Sequence, residues 1–194
     1  WAGEGAGRGG RSPRSTIKSV GILDRAAKML YNKKADKEQY NNYKSRLGAE
    51  APRNFSEFQE IKYRDNGAYA DLKDYYRYRG RIPEATRSDF DIAQRIKDKG
   101  IVGTIRVPAA KIDVSELTAY NDHAFRHGCS IADAKHYIQT AKVSITRSRW
   151  DGLSQNFYSD DGAVYIDYTT TKIKTMYGKE DFDPETKSMM EEFE

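Results

Sequence analysis

Between Lys142 and Tyr177, four short segments of alternating apolar and polar residues follow one another: Lys142–Arg147, Gln155–Ser159, Ala163–Tyr168 and Lys172–Tyr177. Asp151-Gly152 and Asp161-Gly162 lie between them, and such dipeptides readily supply the backbone of a tight hairpin. Connections this short leave consecutive strands no room for a parallel crossover, so the end of the chain must be an antiparallel meander. Just upstream, Ser130 to Ala141 reads as a helix. Ser130 and Asp133 form a capping box, and Ile131, Ala134, Ile138 and Ala141 line one face. A helix with one apolar face and a sheet with one apolar face bury them against each other, which gives an α+β fold: a helical segment followed by a helix packed on a small antiparallel β-meander.

The first half follows the helical period instead. Residues 1–15 hold five Gly, three Arg and one Pro and read as a flexible arm. From Thr16, the residues Ile17, Val20, Leu23, Ala27 and Leu30 form an apolar stripe. A charged run from Asn32 to Glu38 separates this helix from a second around Tyr40, Tyr43 and Leu47, stopped at Gly48. Phe55, Phe58 and Ile61 open a third helix, and Ala68, Leu72, Tyr75 and Tyr76 mark a fourth that ends near Gly80. Ser88 is positioned to cap a fifth, which carries Phe90, Ala93 and Ile96 and stops at Gly100. Ile101 to Val107 reads as a strand, ended by Pro108. The expected organisation is an arm over 1–15, a helical segment over 16–100 and an α+β domain over 101–194.

Composition narrows the function classes. In 194 residues, 33 Lys and Arg face 29 Asp and Glu, a net charge of +4, well short of the dense basic signature of a dedicated nucleic-acid binder. A single cysteine, Cys129, excludes an internal disulfide framework and a cysteine-rich zinc site. Three histidines leave little for a histidine-based metal centre, and neither a Walker A motif nor a dinucleotide fingerprint is present. No cofactor is expected. No apolar run approaches the ~18 residues a membrane span requires, so no membrane partner is expected either. The chain begins at Trp1 rather than Met, which points to a mature product or a segment of a longer chain, and no apolar run near its start reads as a secretory signal. Tyrosine stands out at fourteen residues, a number that suits a half-buried core, a protein interface or base stacking.

Chemistry concentrates in two places. The segment Asn121-Asp122-His123-Ala124-Phe125-Arg126-His127-Gly128 carries two of the three histidines and an arginine. In a helix, His123 shares a face with Arg126 or His127. Histidine exchanges protons near neutral pH and an adjacent arginine steadies a developing anion, as RNA cleavage requires. The alternative is a pair of surface histidines at a helix start. The meander is the second place. Val143 and Ile145 face one way with Ser144 and Thr146 opposite, Tyr165 and Asp167 point away from Val164 and Ile166, and Lys172 and Lys174 lie opposite Ile173 and Thr175. With Arg147, Arg149 and Tyr158 this makes a face of cations and hydroxyls suited to single-stranded RNA, or an ordinary solvated sheet face.

The stretches IVGTIRVPAAKID (101–113), NDHAFRHG (121–128), SIADAKHYIQTAKVSIT (130–146), YSDDGAVYIDY (158–168) and IKTMYGKEDFDPETKSMME (173–191) resemble the C-terminal region of minor head, or head morphogenesis, proteins of tailed phages and prophages. YNNYKSRLGAEAPRNFSEFQEIKY (40–63) resembles the segment before it, and the likeness covers roughly residues 37–192. The resemblance implies a ribonuclease-like fold of the barnase–EndoU–colicin–RelE group. It places His123 in a proton-transfer role, although Asn121-Asp122 before it depart from the family's pattern, and makes Arg126, Arg147, Tyr158 and Lys174 the phosphate-facing residues. It also implies portal or capsid proteins as partners, with RNA as a further one, and a location in the virion or the bacterial host cytoplasm. Two functions follow as expectations: a virion component that uses the fold for assembly or delivery, or an active metal-independent ribonuclease or toxin effector with His123 as general base and acid.

Overall fold

The computed structural model describes residues 13–194; of residues 13–20 and of Ile22 it describes the backbone only. The fold is α+β, with helices α1 (Pro13–Leu47), α2 (Phe55–Arg64), α3 (Asn66–Arg81) and α4 (Arg87–Asp98), then strand β1 (Thr104–Arg106) and helix α5 (Ile131–Gln139). Strands β2 (Val143–Arg149), β3 (Gly152–Tyr158), β4 (Gly162–Asp167) and β5 (Ile173–Gly178) follow, and helix α6 (Pro184–Glu191) closes the chain. Two compact units divide between Asp71 and Leu72, so α4, which the sequence pattern groups with the preceding helices, belongs with the sheet. Residues 1–12 of the expected arm lie outside the described residues, and Pro13–Ser15 already belong to α1.

In the first unit, the two helices expected on either side of Asn32–Glu38 are one continuous helix. The charged run does not break it because Asp36 is buried and satisfied. Lys62 Nζ donates to Asp36 Oδ1 at 2.7 Å and the Tyr63 hydroxyl to Oδ2 at 2.6 Å. Tyr40 and Tyr43 then pack on Phe58 with ring centroids 5.8 and 5.6 Å away, and Tyr69 meets the same ring edge-on at 6.5 Å. The expected apolar stripe upstream finds no such cover among the described residues: Leu23 and Leu30 are each 70% exposed, and Ala27 is exposed as well. The side chains of Ile17 and Val20 lie outside the described ones.

In the second unit, α4 is capped by Thr86, not Ser88. The Thr86 side chain accepts from Asp89 N, and Asp89 returns the bond to the Thr86 backbone. Thr86-x-x-Asp89 and Ser88-x-x-Asp91 are both capping patterns, and the extended backbone falls at Thr86. Phe90 on this helix packs against Tyr75 and Tyr78 of α3. Tyr78 in turn brackets Val107, its hydroxyl donating to the carbonyl and accepting from the N–H, both at 2.8 Å.

The sheet runs β1-β2-β3-β4-β5, antiparallel throughout. The Ser130/Asp133 capping box starts α5 as expected, and Ala134 and Ile138 bury against Phe157, Val164, Ile166, Ile173 and Met176. Val114, Leu117 and Ala124 close that core from the connection between β1 and α5. Each large side chain buried there stabilises the fold by about 1.5–3 kcal/mol. Gly162 allows the closest approach of α5, since a Cβ there would lie 2.4 Å from the Tyr137 ring.

The opposite face departs from the expected alternation. In register, Val143, Ile145 and Arg147 share a face with Tyr158, Asn156, Ser154, Tyr165 and Tyr177, whereas Ser144 pairs beside Phe157 on the α5 side. Ser144 is buried there, its hydroxyl accepting from Ala110 N at 2.9 Å. Nor is the tyrosine face an open surface. Helix α6 crosses it, with Glu185 taking a hydrogen bond from Arg147 at 3.1 Å and Thr186 bonded to Tyr177. Arg95 of α4 and Lys99 at its C-terminal cap hold the end of α6 through Glu192. Among the described residues, no helix is long and apolar enough to cross a membrane.

Candidate active site

What α6 leaves open is one end of this face, and three local irregularities shape it. The first is a bulge. Tyr165 pairs with Thr175 but Ile166 with Ile173, so Lys174 is an extra residue and the alternation changes phase. Lys174 and Thr175 therefore reach the same side, instead of the expected opposition of Lys172 and Lys174 to Ile173 and Thr175. The second is an annex to the sheet edge. Ile173 N donates to Thr118 O at 2.9 Å and Tyr120 N to Ile173 O at 2.8 Å, so residues 118–120 run parallel to β5. Asn121 then accepts from His123 N at 3.0 Å and starts a single 3-10 turn, Asp122–Phe125. The third is the β2–β3 hairpin, closed by the Arg149–Gly152 pair with Trp150 and Asp151 at its tip. Gly152, at φ 119°, supplies the positive φ that the Asp-Gly dipeptide promised.

These three features enclose a cavity of about 270 Å³. His123, Lys174, Arg149 and Tyr165 line it, together with Ser154, Thr175, Tyr120 and Trp150. Lys174 Nζ lies 2.6 Å from Asp151 and 3.7 Å from Asp167. The Lys174 hydrogen bond holds the Asp151 carboxyl below the usual aspartate range, and backbone N–H groups of Thr170 and Thr169 do the same for Asp167. Arg149 sits over the Tyr165 ring, 5.3 Å from its centroid. The Tyr158 hydroxyl donates to Tyr165 Oη at 3.2 Å, and Tyr165 shares a 2.5 Å hydrogen bond with Tyr177. Burial pushes all three phenols up, Tyr177 to about 12, so at neutral pH Tyr165 is a neutral phenol, its hydroxyl held between those of Tyr158 and Tyr177.

The expected site residues divide. His123 and Lys174 line the same cavity. Arg126 stands behind His123: one guanidinium nitrogen donates to His123 Nε2, and its Nε donates to His127 Nε2 at 3.0 Å. Arg147 does not join them. It turns to Glu185 and lines a separate recess beside Gly103. Tyr158 is 1% exposed, which corrects its expected phosphate-facing role, because it reaches the cavity only through the Tyr165 hydroxyl. Tyr120, Trp150, Ser154 and Thr175 were absent from the expected set. Tyr165 and Arg149 were legible as members of the sheet face, but only the bulge and the hairpin bring them to His123. Among the described residues, no group of three or more His, Cys, Asp or Glu side chains is placed to hold a metal ion.

Comparison with protein-family models, with curated proteins and with solved structures found no match to this chain. The likeness to phage head proteins therefore rests on the sequence segments that carry it.

Proposed function

We propose that the chain is a metal-independent ribonuclease that cleaves RNA by attack of a 2′-hydroxyl on the adjacent phosphate. One observation carries this reading: a proton-exchanging histidine and two cations, His123, Lys174 and Arg149, line one cavity with a neutral phenol. His123 takes the 2′-hydroxyl proton, the 2′-oxygen to phosphorus bond forms, and Lys174 and Arg149 balance the charge that builds on the phosphoryl oxygens. The bond to the 5′-oxygen then breaks, and that oxygen takes a proton from solvent at the mouth of the cavity. The products are a 2′,3′-cyclic phosphate and a 5′-hydroxyl. Arg126 positions His123 and must release Nε2 before that nitrogen can accept a proton.

The test is incubation of the full chain with labelled RNA in EDTA, alongside His123→Ala. The wild type cleaves, and the variant loses about 100- to 10,000-fold in rate with an unchanged melting temperature, because His123 is solvent-exposed. No cleavage at micromolar protein, or cleavage indifferent to His123, overturns the reading.

A second reading, a virion component that contacts portal or capsid proteins, draws on a different region. Leu23, Met29, Leu30 and Tyr31 of α1 are each at least 70% exposed, more apolar surface than a helix with no partner needs. Cosedimentation with phage heads supports that role if it is abolished by Leu23→Asp with Leu30→Asp, and wild-type chain that fails to cosediment contradicts it.

A further inference from the structure

We infer that the cavity takes a single-stranded segment of RNA, with a base next to the bound phosphate stacked on Trp150. The inference rests on the ribonuclease reading and names its substrate class. Trp150 stands at the tip of the β2–β3 hairpin and is 98% exposed, so its ring contributes nothing to the packing of the fold. It nevertheless lines the cavity that holds Lys174, Arg149 and His123, and Tyr120, 53% exposed, lines it too. Aromatic faces beside cations are the combination by which proteins bind single strands, the cations taking the phosphates and the rings taking the bases.

Strandedness follows from the same geometry. A base in a duplex keeps both faces against its neighbours and offers none to an indole, whereas an unpaired base can be splayed onto one. An oligonucleotide also replaces a contact already in place, since Asp151, beside Trp150, occupies Lys174 until a phosphate displaces it.

The chain holds two tryptophans, Trp1 and Trp150, so in a Trp1→Phe background all indole emission reports the hairpin tip. The experiment titrates that full-length protein with a 2′-O-methyl oligonucleotide, which cannot be cleaved, either alone or annealed to its complement. The expected result is saturable quenching by the single strand, with affinity for the duplex at least about tenfold weaker. By anisotropy of a labelled oligonucleotide, Trp150→Ala loses about tenfold in affinity and Trp150→Phe recovers part of it. Equal binding of single strand and duplex, or unchanged affinity in Trp150→Ala, overturns the inference. So does quenching by an acidic protein but not by RNA, which makes the patch a protein contact. The two readings fail separately. Quenching by the single strand without cleavage of unmodified RNA overturns the ribonuclease and leaves the stacking site. Cleavage of single and double strands alike, untouched by Trp150→Ala, overturns the stacking site and leaves the ribonuclease.

Discussion

On the face of the sheet that meets α5, Phe157, Val164, Ile166, Ile173 and Met176 present hydrocarbon and one thioether. On the face that meets α6, Ser154, Asn156 and Tyr158 are just as buried, yet they stand beside Tyr165, Tyr177 and Arg147 and present hydroxyls, an amide and a guanidinium. Burial alone therefore does not distinguish the two faces. The α5 face gains stability from area removed from water, and its geometry is set by shape. The tyrosine face hides polar groups, and its geometry is set by the hydrogen-bond chain from Tyr158 through Tyr165 and Tyr177 to Thr186, although Arg147 Nε and Asn156 Nδ2 stay buried without a partner among the described residues. One face is a core, and the other is a support for the site.

The sharpest way to break this comparison is to remove bulk from the α5 face. Phe157→Ala deletes a fully buried ring and leaves a void between α5 and the sheet. The expected loss is about 3–5 kcal/mol of unfolding free energy in urea. A loss under about 1 kcal/mol means that α5 can settle into the gap and that this face is not the main core.

The tyrosine face is exposed instead by alkali. A free phenol ionises near pH 10, but Tyr177 is pushed up to about 12 by burial, and Tyr158 and Tyr165 are pushed up by the same cause. The folded chain thus holds these protons more tightly than the unfolded chain. The resulting stability is complete below about pH 10 and drains away as the pH climbs toward 12 and beyond. Tyr177 alone accounts for roughly 2–3 kcal/mol of that loss. Near-ultraviolet circular dichroism should be lost late and steeply, and Tyr177→Phe should move that transition upward. Because other tyrosines of the chain are exposed, the phenolate signal to follow is the difference in absorbance between wild type and Tyr177→Phe, and a difference complete near pH 10 without loss of structure would mean that the face is open to water.

The same contrast decides what could be read from the chain. The cap and apolar face of α5 were legible because Ser130, Asp133, Ala134 and Ile138 act within one helix. The hairpin positions were legible because glycine-bearing turns are local. The continuity of α1 was not, because Asp36 becomes tolerable only through Lys62 and Tyr63, more than twenty-five residues away. The phase of β2 misled for a related reason. Ser144 looks like a surface residue until Ala110 supplies a buried donor to its hydroxyl. At the candidate site, the chemistry of His123 and Lys174 showed in the residue types alone. Their meeting depends on a one-residue bulge and on residues 118–120 joining the edge of β5, and neither has a signature in periodicity. Conversely, Arg147 and Tyr158 had the right chemistry and the right face, but α6 covers the one and three phenols in a row bury the other.

The smallest expected effect lies where the supporting face meets the cavity. Asp151 holds Lys174 at 2.6 Å, while Asp167, the other carboxylate near that ammonium, is 3.7 Å away and also bound by the turn that follows β4. An incoming phosphate must therefore compete with Asp151 rather than with Asp167. Asp151→Asn removes the competing charge and keeps the shape of the hairpin tip. Because Asp151 is exposed to solvent, water screens the pair and its contribution to folding is small. The variant should bind the 2′-O-methyl single strand up to about fivefold more tightly, with a change in folding stability no larger than that of the pair itself. Titration of Trp150 emission at low salt measures the first effect, and urea unfolding the second. Weaker binding in Asp151→Asn would show that Asp151 aims Lys174 at the substrate rather than shielding it. The carboxylate would then belong to the supporting hydrogen-bond network of the tyrosine face and not to its mouth.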